Sequence, residues 1–71
     1  MVRWRAKATH RKVRVWVGSD LVVDLPALAP TPAALASVLL REGFVNVEVV
    51  AMTDQVGTTR WAWGLADREL E

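Results

Sequence analysis

Residues 2–17 read VRWRAKATHRKVRVWV, and their period of two limits what the chain can fold into more than any other feature. Val2, Trp4, Ala6 and Ala8 alternate with Arg3, Arg5, Lys7 and Thr9. Lys12, Arg14 and Trp16 then alternate with Val13, Val15 and Val17. Successive side chains of a β-strand point to opposite faces, so each run predicts a strand with one apolar and one basic face. A turn at His10-Arg11, pairing Thr9 with Lys12, sets Ala8 against Val13, Ala6 against Val15 and Trp4 against Val17. It also sets Lys7 against Arg14 and Arg5 against Trp16. The apolar partners all lie on one side, so this register is self-consistent; His10-Arg11 is not a preferred turn pair, which leaves room for a longer, looser loop.

The rest of the chain is read by the same rules. Gly18-Ser19-Asp20 is a turn signal. Leu21–Leu25 is rich in β-formers and predicts a third strand at an edge, stopped by Pro26. Ala29-Pro30-Thr31-Pro32 leads into a helix, with Thr31 as N-cap and Pro32 at the first helical position. Ala33 to Glu42 is made mostly of strong helix formers, with Ala34, Leu35, Val38 and Leu39 as the buried stripe. Gly43 suits the left-handed position that closes a helix. Phe44–Met52 and Thr58–Leu65 predict a second hairpin around a five-residue loop, with Val49 opposite Trp61 and Val47 opposite Trp63.

The expected fold class is α+β: a small two-layer domain with one helix on one face of an antiparallel sheet. The order is ββ(β)αββ, four strands, or five if Leu21–Leu25 is counted. The predicted core holds Trp4, Val13, Val15, Val17, Leu35, Val38, Leu39, Val47, Val49, Trp61 and Trp63. The open face is expected to carry Arg3, Arg5, Lys7, Lys12, Arg14 and Trp16 from the first hairpin. The second adds Asn46, Glu48, Val50, Met52, Thr58, Arg60 and Ala62, with Val50 and Met52 as an apolar patch beside the basic one. Trp61-Ala62-Trp63 reads as packing under the helix rather than as an aromatic cage.

Seventy-one residues make one domain, 1–71, in which 66–71 is expected to be a frayed acidic tail. A chain this short buries only about 60% of its unfolded surface, so it needs a dense core, a covalent or metal staple, or a partner. It has no cysteine and a single histidine, His10, so no disulfide and no metal site is expected. No apolar run approaches the roughly 20 residues of a membrane span. The basic start and Ala27-Leu28-Ala29 resemble a signal peptide, but Asp20 and Asp24 interrupt the apolar region and its residues alternate as in a strand. The expected location is cytoplasmic.

Residues 1–17 hold six cations, Arg3, Arg5, Lys7, Arg11, Lys12 and Arg14, and no acid; the remainder holds three arginines against eight acids. Such asymmetry points to an anionic partner or to contact between copies. Catalysis has little footing. Ser19 and Ser37 lack the setting of a nucleophile, His10 stands alone in a turn, and the glycines are too scattered for a phosphate loop. No enzyme activity, cofactor or small-molecule substrate is expected. The leading expectation is a protein-interaction or assembly module, docking on an acidic surface of a partner or of its own copy. Its site residues are Arg3, Arg5, Lys7, Lys12, Arg14, Trp16 and Arg60. The alternative is a small nucleic-acid-binding module using the same strand pair, with Trp16 as a base-stacking platform. The isoelectric point of about 8.4 lies below the level above 9 expected of a basic binding domain. Trp16 has a plainer use as well, lying under Arg5 in a local cation–π contact.

Overall fold

The structure, a computed structural model, describes residues 1–26, 31–54 and 56–68. Five strands and one helix follow in the order β1 (Val2–Thr9), β2 (Lys12–Val17), β3 (Asp20–Pro26), α1 (Pro32–Arg41), β4 (Phe44–Met52) and β5 (Thr59–Arg68). The strands form one antiparallel sheet in the order β3-β2-β1-β5-β4. β5 lies between β1 and β4, so its neighbours come from opposite ends of the chain. The predicted two-layer α+β class holds, with β3 as the fifth strand at an edge.

The first hairpin has the predicted register. Trp4 faces Val17, Arg5 faces Trp16, Ala6 faces Val15, Lys7 faces Arg14 and Ala8 faces Val13. Its turn is built by Thr9, whose Oγ1 accepts from the N–H of Arg11 (3.1 Å) and of Lys12 (2.9 Å). The hydroxyl therefore takes the part that an asparagine or aspartate side chain plays in other turns. β2 and β3 pair with one irregularity beyond Val15, after which Trp16 meets Leu21.

The helix begins and ends as its sequence dictates. Thr31 is extended at φ −116° and its Oγ1 accepts from the N–H of Ala34 at 3.1 Å. Gly43, at φ 93°, takes the left-handed conformation just beyond the helix. Leu35, Val38 and Leu39 are its buried residues, and α1 packs mainly on β4.

The second hairpin departs from expectation. Val49 stands opposite Gly64, Ala51 opposite Trp63 and Met52 opposite Ala62. Two register shifts, between Val45 and Glu48 and between Val49 and Ala51, bend β4. Asn46 takes φ 53° inside the first of them, where asparagine tolerates the left-handed region better than most residues. β5 also runs on to Arg68, so Ala66–Arg68 belongs to the sheet rather than to a tail, and Ala66 is buried. Residues 69–71 of the expected tail, the helix lead-in 27–30 and Gln55 lie outside the described residues.

The buried set corrects the predicted core. It comprises Trp4, Ala6, Ala8, Val13, Val15, Val23, Leu35, Val38, Leu39, Phe44, Ala62 and Ala66. Val17, Val47 and Val49 pack against it half-buried, as does Met52, which was expected on the open face. Trp61 and Trp63 are not in the core; they are 41% and 46% exposed.

The reason is a competition for volume. Trp4 is only 2% exposed and lies over Gly64. A Cβ at position 64 would sit 2.6 Å from its Cζ2 and closer still to the Glu48 carbonyl oxygen. The small residues Ala62, Gly64 and Ala66 therefore face α1 and make room for the Trp4 indole, while the bulky Trp61, Trp63 and Leu65 take the other side.

Candidate nucleic-acid interface

The face opposite α1 is ordered by β1. Residues directly opposite in an antiparallel pair share a side, so the β1 cations fix what stands beside them. Arg3 faces Leu65, Arg5 faces Trp63 on one flank and Trp16 on the other, and Lys7 faces Trp61 and Arg14. Across the sheet one row reads Leu21, Trp16, Arg5, Trp63, Ala51, and the next reads Asp24, Arg14, Lys7, Trp61. The cations of β1 are therefore flanked by indoles, Arg5 by Trp16 and Trp63 and Lys7 by Trp61.

Contacts between them are direct. The Arg5 guanidinium carbon lies 5.3 Å from the Trp16 ring centroid, and Lys7 Nζ lies 5.7 Å from that of Trp61. The Trp16 and Trp61 rings meet above β1 with centroids 6.2 Å apart and planes inclined by 23°. Each exposed cation–π contact is worth about 0.5–1 kcal/mol. The local contact of Trp16 under Arg5, one of its expected uses, is thus present.

Two hollows flank this centre. One, of about 290 Å³, is lined by Arg3, Trp63, Leu65 and Val50 and reaches Trp4 and Gly64. The other, of about 240 Å³, lies at the turn end of the first hairpin and is lined by Lys7, Thr9, Arg11, Lys12 and Arg14.

The acids of this face stand at its rim. Asp24, on edge strand β3, approaches Lys12 Nζ at 3.5 Å and Arg14 Nε at 3.7 Å. Both contacts are solvent-exposed and each is worth about 0–1 kcal/mol. Glu48 lies on the opposite edge strand, facing Leu65. Asp67, at the end of β5, accepts from Asn46 Nδ2 at 3.0 Å and lies 3.2 Å from the Met1 amino group. The Asn46 hydrogen bond, and then the one from the amino terminus, hold its carboxyl below the ordinary carboxylate range.

Six of the seven residues expected at the site share this face: Arg3, Arg5, Lys7, Lys12, Arg14 and Trp16. Arg60 does not join them. It stands opposite the buried Ala8, on the helix side, with Nη1 3.7 Å from Met52 Sδ. Its parity follows that of Ala62 and Gly64, which Trp4 dictates. Trp61, Trp63 and Leu65 belong to the face although they were expected in the core or left out. The signal for them was present as the small-residue alternation Ala62, Gly64, Ala66, which marks the side of β5 able to accept a large partner.

Among the described residues no helix is long and apolar enough to cross a membrane. Comparison with known proteins finds no matching family model, no matching curated protein and no matching solved structure.

Proposed function

We propose that the protein is a non-enzymatic, cytoplasmic binding module that takes single-stranded nucleic acid on the open face of its sheet. The observation that carries this reading is the Trp16–Trp61 pair, held above β1 between Arg5 and Lys7 with Trp63 on the same face. Indole rings stack on any base, and cations among them track the phosphates; this combination binds single strands with little sequence preference. The two rings stack on each other, with centroids 6.2 Å apart, and so present one joint indole platform to a ligand. Alternate cations on β1 lie about 6.8 Å apart, two residues at about 3.4 Å each, a step comparable with that between phosphates of an extended strand.

An acidic protein surface, or a second copy of the chain, is the competing occupant. It accounts for the cations and for exposed Leu21 and Val50, but the stacked indoles set among the cations suit bases and phosphates together. The modest isoelectric point is compatible with nucleic acid, because the acids of this face stand at its rim while the central strands carry the cations.

The test is fluorescence anisotropy of a labelled dT12 strand across a salt series. The expected result is a dissociation constant in the micromolar range at low salt, weakening linearly in log–log form as cations displace the protein from phosphates. Arg5→Glu with Arg14→Glu abolishes binding. Trp61→Ala weakens it by about 5- to 150-fold, the equivalent of roughly 1–3 kcal/mol per stacked base. Absence of binding at low salt, together with a mass above that of the monomer that falls as salt rises, refutes this reading in favour of self-docking.

A further inference from the structure

Charge is not spread evenly along the basic face. Three of its cations, Lys7, Lys12 and Arg14, line one hollow of about 240 Å³ at the hairpin turn, together with Thr9 and a fourth cation, Arg11 of the turn. Arg11 was not among the residues singled out from the sequence, since it lies in the turn rather than on the alternating face. The Thr9 hydroxyl holds the backbone of Arg11 and Lys12 in place, so the hollow is built on an ordered turn. Arg11 is further oriented by its Nε, which donates to His10 Nε2 at 3.4 Å.

An internal phosphodiester carries one negative charge and two free oxygens. A terminal phosphomonoester carries about −1.5 to −2 at neutral pH and offers three strong acceptor oxygens. Four cations around one hollow suit the second better than the first. The hollow also stands where the strip ends. Beyond Lys7 the chain turns at His10-Arg11, and a strand laid along β1 has no further cation of β1 to follow. Asp24 occupies two of the four cations in the free protein, at 3.5 and 3.7 Å and in solvent-exposed contacts. A phosphomonoester, with more charge and a geometry that arginine grips through two parallel bonds, displaces a single carboxylate from such a position.

We propose that this hollow binds the terminal phosphate of the nucleic-acid strand, with the adjoining base on Trp61, so that the protein prefers phosphorylated strand ends. The proposal rests on the single-strand reading above. Lys7 links the two parts, since its side chain lines the hollow and its ammonium lies over the Trp61 ring.

The experiment is competition. Unlabelled dT12 carrying a 5′-phosphate, a 3′-phosphate or neither displaces labelled dT12, and the variant Arg11→Gln/Lys12→Gln is compared after circular dichroism shows that it is folded. One phosphorylated form is expected to compete about tenfold better than the unphosphorylated strand, a difference of about 1.4 kcal/mol. In the variant that advantage disappears. Equal competition by all three strands overturns the proposal while leaving the single-strand reading in place, and so does an advantage that survives in the variant. Failure of every strand to bind overturns both.

Discussion

Gly64→Ala tests the packing that turns the tryptophans outward. The new methyl group would sit 2.6 Å from Cζ2 and 2.9 Å from Cε2 of Trp4, and nearer still to the Glu48 carbonyl oxygen. The oxygen belongs to the backbone of β4, which pairs with β5 in this region between two register shifts and cannot yield without loosening the ladder. The indole is nearly sealed, at 2% exposure, and has little room to retreat. Overpacking of a tight core costs about 1–3 kcal/mol. A weakened ladder hydrogen bond adds about 1 kcal/mol. The entropic gain from replacing glycine in a strand returns about 0.5–1 kcal/mol. The net expectation is a loss of about 1–3.5 kcal/mol, which for a domain of this size lowers the melting temperature by about 4–28 °C. Urea unfolding followed by tryptophan fluorescence measures it. Trp4→Phe in the same background removes the benzo ring that carries Cζ2 and Cε2. The double variant is therefore expected to lose at least about 0.5 kcal/mol less than the sum of the single losses. A Gly64→Ala protein as stable as the parent, or strict additivity with Trp4→Phe, would refute the volume argument.

Two further outcomes follow from local geometry. The Asp67 carboxyl has a lowered pKa in the folded state, so its contribution is complete above the ordinary carboxylate value of 3.8 and is lost as pH falls through the lowered folded value. The stability difference between the parent and Asp67→Asn should therefore be constant between about pH 5 and 7 and shrink on further acidification; a difference unchanged down to about pH 2 contradicts the linkage. Thr9→Ala removes the acceptor of two turn N–H groups and a donor to the Lys12 carbonyl at 3.2 Å. It is expected to cost about 1 kcal/mol, recovered in Thr9→Ser, and an unchanged urea midpoint in Thr9→Ala would count against the turn.

The first hairpin was legible in the sequence because its two runs are adjacent, strictly alternating and opposite in character on their two faces. The helix was legible from Thr31, Pro32 and Gly43, which mark its ends by chemistry rather than by packing. β5 was not, because its face is set by a neighbour more than fifty residues away: Trp4 opposite Gly64. Read alone, Trp61, Trp63 and Leu65 form the more apolar side of β5 and look like its core face. The bulges of β4 obscured the same hairpin, since each shifts the register that simple alternation predicts. The error propagated to the site. Putting Trp61 and Trp63 inward put Arg60 outward; the reversed parity of β5 returns these three to their observed sides, and the register shift between Val49 and Ala51 turns Met52 inward. The five cations of the face and Trp16 were unaffected, because β1 and β2 set them without reference to β5.

The two sides of the sheet are therefore one problem rather than two. β5 carries bulk at 61, 63 and 65 and almost none at 62, 64 and 66, while β1 carries its one large apolar side chain, Trp4, on the helix side. Only one phase of β5 satisfies Trp4, and that phase lines its indoles beside the β1 cations. The arrangement is not the most stable one available to such a sheet. Lys7 stands directly opposite Arg14, a like-charge pair that is unfavourable in a ladder. Trp61 and Trp63 leave more than two-fifths of their surface in water, although burial of such rings is among the larger stabilising terms open to a chain this short. The cation–π contact of Lys7 with Trp61 at 5.7 Å offsets part of that loss, and on the proposed reading a ligand offsets the rest. A flat, anionic ligand relieves both defects together: it covers the indoles and neutralises the opposed cations. Binding of such a ligand should accordingly raise the melting temperature more in the parent than in a Trp61→Ala variant at equal free ligand, because the stabilisation grows with affinity. Equal shifts in the two proteins would mean that the ligand senses the charge alone, and the indoles would then need another explanation.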